Sequence, residues 1–227
     1  MKPFRIGTFS RIDVNLHWSF FFLLGGIFVF YLYQGASVLA ALAGVAMMGA
    51  AFVCVVLHEY GHALMARHYN IPTLDITLYP IGGVARLSRL PREPFQEFMI
   101  AIAGPAVNLG IGGALYVLLS LFGGAPSLPS VLAAPTQVLG ALMWFNFSVA
   151  AFNMLPAFPM DGGRVLRAGL ATSFEYGRAT QMAAFVGHVV ALGMFVFGLF
   201  TGQFMLPLIA VFIVLAAQQE VQQSVTR

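Results

Sequence analysis

The chain has 227 residues, 59% of them hydrophobic and 8% charged, with a mean hydropathy of +0.86. An ordinary soluble domain carries roughly 25% charged residues, so this composition excludes a soluble globular protein and points to one integral membrane domain, with no room for a large soluble partner domain. The formal charge of +3 gives no reason to expect nucleic acid, and the single Cys54 excludes an internal disulfide framework.

Residues 1–16 carry Lys2, Arg5 and Arg11 and lead into His17-Trp18 and an aromatic-rich apolar run that ends at Tyr33. Gly35-Ala36-Ser37 could pass for a signal-peptide cleavage region. The leading segment is long for that, however, and Trp18 and Tyr33 sit at its ends like interfacial anchors, so a retained first span is expected. A second span runs from Val38 to Leu57 and continues to Ala66; its first twenty residues, at about 1.5 Å each, cover a bilayer core of roughly 30 Å. Set into its end is His58-Glu59-Tyr60-Gly61-His62. Positions four apart share a helix face, so His58 and His62 can grip one metal ion together. Glu59, about 100° round from His58, can reach a water on that metal without being a ligand. This is the H-E-x-x-H arrangement of zinc hydrolases. Two histidines and a glutamate inside an apolar helix are costly unless something binds them.

Residues 67–97 hold most of the polar sequence. Leu74 to Tyr79 alternates with period two and reads as a short strand, Pro80-Ile81-Gly82-Gly83 breaks it, and Val84 to Leu90 could return as a second. A third span covers Phe98 to Phe122, with Ala103-Gly104-Pro105 inside it and Asn108 one turn later. Gly123 to Pro135 is an uncharged loop. A fourth span, Gln137 to Phe152, ends in Asn153-Met154-Leu155-Pro156-Ala157-Phe158-Pro159-Met160-Asp161-Gly162-Gly163. Arg164 to Arg178 is a short amphipathic stretch, Thr180 to Phe200 a fifth span, and Phe204 to Ala217 a short candidate for a sixth. If the N-terminus is cytoplasmic, all eleven Lys and Arg fall in cytoplasmic segments and the outer loops hold none.

Catalytic zinc commonly takes three protein ligands and keeps a fourth position for water. His68 lies ten residues after His58, the spacing of H-E-x-x-H-x-x-G-x-x-H enzymes, but the glycine those enzymes use to turn the chain is replaced by Met65. A continuing helix puts His68 about 240° from His62, so a solvated interfacial histidine is the expectation. Asp161 follows a long apolar run and has backbone breakers on both sides; spacing alone leaves it open between a metal ligand and a cap for the helix starting near Gly162. Cys54, one turn before His58, reads as a small buried residue, His188 as a structural hydrogen-bonding group, and Glu93 and Glu97 as solvated interfacial charge.

Taken together, the His58 to His62 motif and Asn153-x-x-Pro156-x-x-Pro159-x-Asp161-Gly162 resemble the site-2 proteases, intramembrane zinc metalloproteases. The likeness extends to His17-Trp18-Ser19, Pro80-Ile81-Gly82-Gly83 and Ala103-Gly104-Pro105 with Asn108, and covers the chain from the first span to about Arg167. It implies that Asp161 is the third zinc ligand and that Asn153 hydrogen-bonds the substrate or stabilises the oxyanion, a role suited to an uncharged amide. The alternative for Asn153 is an interhelical hydrogen bond. The PDZ-type insert and the C-terminal cystathionine-β-synthase-type domains of some relatives are not found in this sequence.

The expected fold is therefore an all-α polytopic membrane protein of six transmembrane helices, with a short membrane-associated β-hairpin or sheet after the second helix. It forms one protease domain over 1–227, with a core at 38–170 and a strand-like segment at 71–91. One zinc ion sits on His58, His62 and Asp161, Glu59 and Asn153 act in catalysis, and Gly82, Gly83 and Asn108 face the substrate. The strand-like stretch from Leu74 to Leu87 leaves an edge free to hold the substrate extended. Substrates are single-span membrane proteins, cut in a prokaryotic plasma membrane from a cytoplasmic opening. A zinc or ion transporter is the competing reading, but a transporter needs polar groups through both halves of the bilayer, and the outer half here offers almost none.

Overall fold

The computed structural model describes residues 3–80, 82–89, 91, 93–122 and 135–225. In chain order these form β1 (Phe4–Phe9), β2 (Ile12–Leu16), α1 (Ser19–Tyr33), α2 (Val38–His68), β3 (Thr73–Tyr79), β4 (Gly82–Leu87), α3 (Pro94–Leu121), α4 (Pro135–Asn153), α5 (Asp161–Leu170), α6 (Tyr176–Thr201) and α7 (Met205–Val225). The uncharged loop expected from Gly123 lies outside the described residues up to 134, as do Lys2, Ile81, Leu90, Arg92 and Arg227. Backbone contacts divide the chain into two compact units. One comprises Met1–Arg89 and Ala106–Ala150, the other Leu90–Pro105 and Ala151–Arg227.

Among the described residues, four helices are long and apolar enough to cross a membrane: α2, α3, α6 and the Met205–Gln222 part of α7. The sixth apolar segment is thus longer than its sequence suggested, because the helix runs on through its polar end. Against the six spans expected, α1 has 15 residues, about 22 Å of helix, and α4 has 19 residues that include Asn146 and Asn153.

In the first unit, a four-stranded sheet of order β1-β2-β3-β4 packs beside α2. The sequence suggested only the β3–β4 hairpin. The structure adds a second antiparallel hairpin, β1–β2, joined to it by parallel pairing of β2 with β3. The turn between β1 and β2 is Ser10-Arg11, and both residues adopt positive φ, at 50° and 64°. Such a turn is normally made by Asn-Gly or Asp-Gly, so its residues carry no turn signal. Contacts from α2 hold it instead: Tyr60 Oη donates to the Phe9 carbonyl at 3.0 Å, and Arg67 Nη1 to the Ser10 carbonyl at 3.3 Å.

Alternation gives the sheet an inner face. Ile12 and Ile76 pack with Ala63 of α2, while Leu16 and Leu78 join Phe20 of α1 and Phe52 of α2. The Phe20 and Phe52 rings meet edge to face at 4.5 Å. Gly35, at φ 77°, and Ser37, whose hydroxyl accepts the Ala40 N–H and caps α2, turn the chain between α1 and α2. The two therefore run side by side in opposite directions, with the sheet at one end.

Across β3 and β4, Asp75 and Arg86 are register partners and form a bidentate ion pair; Arg86 Nε donates to Asp75 Oδ1 at 2.9 Å. The Arg86 hydrogen bond holds the Asp75 carboxyl below its ordinary range, against the opposing effect of burial and with further help from the Arg86 charge and Thr77. Because the folded value is depressed, the stabilisation is complete above the unfolded value of about 3.9 and is lost as pH falls through the folded one. The difference in melting temperature between wild type and Asp75→Asn in detergent should be constant from about pH 7 to pH 5 and should narrow as pH falls below about 3.9.

The second unit is built on small residues. Ala191 and Ala210 pack with Ala157, Met160 and Ile213, and Ala183, Ala184 and Ala217 with Phe158. Small side chains let the α6 and α7 backbones approach closely, as in membrane helix pairs generally. Here Glu97 corrects the sequence reading. It is buried, 4% exposed, and its Oε1 takes the Nε–H of Arg167 at 2.9 Å, with Nη2 bonded to the same oxygen. Arg167 Nη1 donates to Glu220 at 2.5 Å, and its guanidinium lies between the Phe158 and Tyr176 rings. The arginine that answers Glu97 comes from α5, seventy residues later, and not from its neighbours. Glu93 is exposed, as expected. Removing Arg167 would leave the buried Glu97 carboxylate without its cation and strip the half-buried Glu220 of the same partner. Arg167→Ala should cost about 3–5 kcal/mol, read as a fall in the melting temperature of the detergent-solubilised protein.

Candidate metal centre

The apolar helix α2 carries His58 and His62 on one face, one turn apart, and both are buried, 4% and 6% exposed. Their Nε2 atoms lie 3.0 Å apart with the rings edge to face. Zinc binds a histidine nitrogen at about 2.0–2.1 Å, so one ion can reach both. For that, each Nε2 must present a lone pair and each proton must sit on Nδ1. At His58 the structure provides the acceptor this requires: Asn108 Oδ1 of α3 lies 2.5 Å from His58 Nδ1.

Asn108 is fully enclosed, 0% exposed, and its amide meets His58 at one end and Asn146 Oδ1, at 2.7 Å, at the other. Asn146 itself drew no notice in the sequence. The signal available was an amide inside an otherwise apolar helix segment, Leu142 to Phe147, where an unpaired polar group is expensive.

Glu59 is half-buried beside the two histidines, and β4 passes directly over it. A Cβ placed on Gly83 would lie 2.7 Å from Glu59 Cγ and 3.2 Å from both Cδ and Oε1. A side chain there would force Glu59 to shift, so glycine at 83 lets the strand and the carboxylate share the space as they stand. Gly82 has φ 141°, a conformation that also favours glycine. The free strand edge is narrower than the sequence suggested: β3 is enclosed between β2 and β4, and only β4 of that hairpin has an unpaired side.

In the second unit, Asp161 is the first residue of α5, buried at 7% exposure; the N-cap position is held by Met160, without a side-chain cap. A Cβ on Gly162 would lie 2.3 Å from the Leu155 carbonyl oxygen, so this glycine lets the first turn of α5 lie on the 154–158 loop. Asn153 is half-buried at the last position of α4. Among the described residues, His58, His62 and Asp161 are the side chains that could hold a metal ion together. Two imidazoles and a carboxylate are a zinc donor set that leaves a fourth position for water. His68 is exposed on the continuing helix and stacks near Tyr69, as the helical geometry required. Cys54 is buried and accepts a hydrogen bond from Asn146 Nδ2 at 3.3 Å. His188 is half-buried on α6.

Comparison with known proteins agrees with this arrangement. The model of peptidase family M50 matches residues 46–138 and 129–194. The solved structure of a site-2 protease from Methanocaldococcus jannaschii is similar with a TM-score of 0.68 and 34% identity, over 97% of this chain and 95% of that one. The chain belongs to peptidase family M50, the site-2 proteases.

A zinc metalloprotease of the same archaeon is 40% identical over 169 residues, 74% of this chain and 47% of that protein. Stage IV sporulation protein FB of Bacillus subtilis is 30% identical over 113 residues, 49% of this chain and 36% of its own length. The chain spans about half the length of the first curated relatives that it matches. Membership of this family implies zinc as the metal, and the donors present fit it.

The contact between Gly83 and Glu59 can be tested without an assay for activity. Gly83→Ala should lower the melting temperature in the wild-type background and lower it less beside Glu59→Ala, where Cγ is gone. A coupling on the order of 1 kcal/mol between the two sites is expected. Thermal denaturation of the four proteins measures it, and equal losses in both backgrounds would mean that the added methyl clashes elsewhere.

Proposed function

We propose that the chain is an intramembrane zinc metalloprotease that hydrolyses peptide bonds within or near the transmembrane segments of other membrane proteins. The observation that carries this reading is the pair of buried imidazoles whose Nε2 atoms lie 3.0 Å apart, beside a glutamate one residue along the same apolar helix. Asp161, a buried carboxylate able to hold the same ion, supports it as the third ligand to a single zinc per chain. Residues 1–227 act as one protease domain in this reading, with the core between 38 and 170.

When bound, zinc lowers the pKa of its water to about 7 and polarises a carbonyl. Glu59 takes the proton of the attacking water and passes it to the leaving amine. The Asn153 amide donates to the oxyanion or to the substrate backbone without adding charge. A helical substrate has its scissile amide hydrogen-bonded and wrapped, so it must be held extended; the unpaired side of β4, with Gly82 and Gly83, supplies main-chain groups for that. The substrates this suits are single-span membrane proteins.

The six-span topology with a cytoplasmic N-terminus belongs to the same proposal, as does a prokaryotic plasma membrane. Pairing of β2 with β3 supports the count for α1. The chain leaves the sheet at Leu16 and returns to it at Thr73, so α1 and α2 leave from and return to one side. Placing that side in the cytoplasm gathers all eleven Lys and Arg there.

Purified protein mixed with single-span membrane proteins, with and without a zinc chelator, tests the reading directly. Glu59→Gln should keep its zinc and lose cleavage by about 100-fold or more. Asp161→Ala should lose zinc, and His68→Ala should not. Normal turnover by Glu59→Gln would remove the mechanism, and the reverse order of zinc loss would make His68 the ligand.

A further inference from the structure

Four polar side chains of the first unit form one buried line: His58 on α2, Asn108 on α3, Asn146 on α4 and Cys54 on α2 again. Asn108 and Asn146 are both 0% exposed. The line has a direction. It begins at the Leu142 carbonyl, which can only accept, and Asn146 Nδ2 donates to it at 2.8 Å. With its nitrogen turned that way, Asn146 presents Oδ1 to α3. Only the nitrogen of Asn108 can meet that oxygen, at 2.7 Å, so Asn108 presents its own Oδ1 to His58 at 2.5 Å. An acceptor at Nδ1 places the imidazole proton there and leaves Nε2 unprotonated, on the side where Nε2 of His62 lies.

Reversing any one amide would reverse the rest. Asn108 would then point a donor at Nδ1, the proton would move to Nε2, and the nitrogen facing His62 could no longer ligate. A backbone carbonyl is an anchor that no rotamer change can turn into a donor. We propose that Asn146 is a positioning residue for the metal centre: through Asn108 it sets the tautomer in which His58 offers Nε2 to the ion. This rests on the reading of His58 as a ligand. Asn146 touches neither the metal nor the substrate in this role.

The test is zinc affinity of the full chain in detergent, measured by competition with a chromophoric chelator, with the cobalt spectrum as a second readout. Losing a group that orients a ligand histidine typically costs about 10–100-fold in metal affinity, so Asn146→Leu should bind zinc at least about 10-fold more weakly than wild type. The same change in an Asn108→Asp background should cost less than about twofold relative to Asn108→Asp alone, because both ends of a carboxylate accept and need no orienting. If Asn146→Leu does not fold, Asn146→Ala takes its place in the same comparison.

Equal losses in the two backgrounds would make Asn146 a packing residue and overturn the proposal. So would full zinc affinity in Asn146→Leu when His58→Ala loses the metal. If His58→Ala itself binds zinc like wild type, the metal centre is misassigned and the relay falls with it.

Discussion

Everything near the centre depends on one constraint: imidazoles inside an apolar helix must have every polar atom answered. An unpaired amide or ring N–H in such surroundings costs several kcal/mol, more than a marginally stable fold can lose at several places at once. For His58 the answer is supplied by two asparagines on two further helices, and each uses both ends of its amide. A line of hydrogen bonds of this kind rigidifies His58 while removing the penalty. The centre is therefore held by α3 and α4 as much as by the helix that carries the motif.

A second constraint acts on the other side of Glu59. β4 walls the carboxylate at a distance that a Cβ at position 83 would crowd. The sheet behind it cannot shift freely. It is pinned to α2 through Ile12, Ile76 and Ala63 and through Tyr60 and Arg67, while the Asp75–Arg86 pair ties β3 to β4. Strand position and glutamate position are thus one mechanical fact, and a strand added at β4 would form beside Glu59.

In the second unit, the helix that begins with Asp161 is fixed at its far end by Arg167, whose guanidinium joins Glu97 of α3 to Glu220 of α7. Six residues separate Asp161 from Arg167, fewer than two turns, so the ion cluster sets the register of the helix that presents the aspartate. Gly162 lets the first turn of that helix rest on the preceding loop. A charged cluster buried among aromatic rings is expensive to assemble and more expensive to break, which suits a device that holds one helix in one place.

By itself, the sequence determined the features that are local. Four-residue spacing put His58 and His62 on one face, and a continuing helix past Met65 carried His68 away from them. The apolar runs marked the membrane helices, and alternation from Leu74 to Tyr79 marked β3, because each of these follows from the geometry of a single element. Contacts between elements were decided only by the tertiary structure. Nothing near Asn108 says that its partner is His58, fifty residues back, and nothing near Glu97 says that its arginine is Arg167. The β1–β2 hairpin escaped notice because Ser10-Arg11 has no preference for the turn it makes; hydrogen bonds from α2 impose it. Gly83 read as a residue that faces the substrate, but which group of the chain it makes room for depended on where β4 crosses α2. Side-chain chemistry is written locally, whereas the identity of a partner is a property of packing.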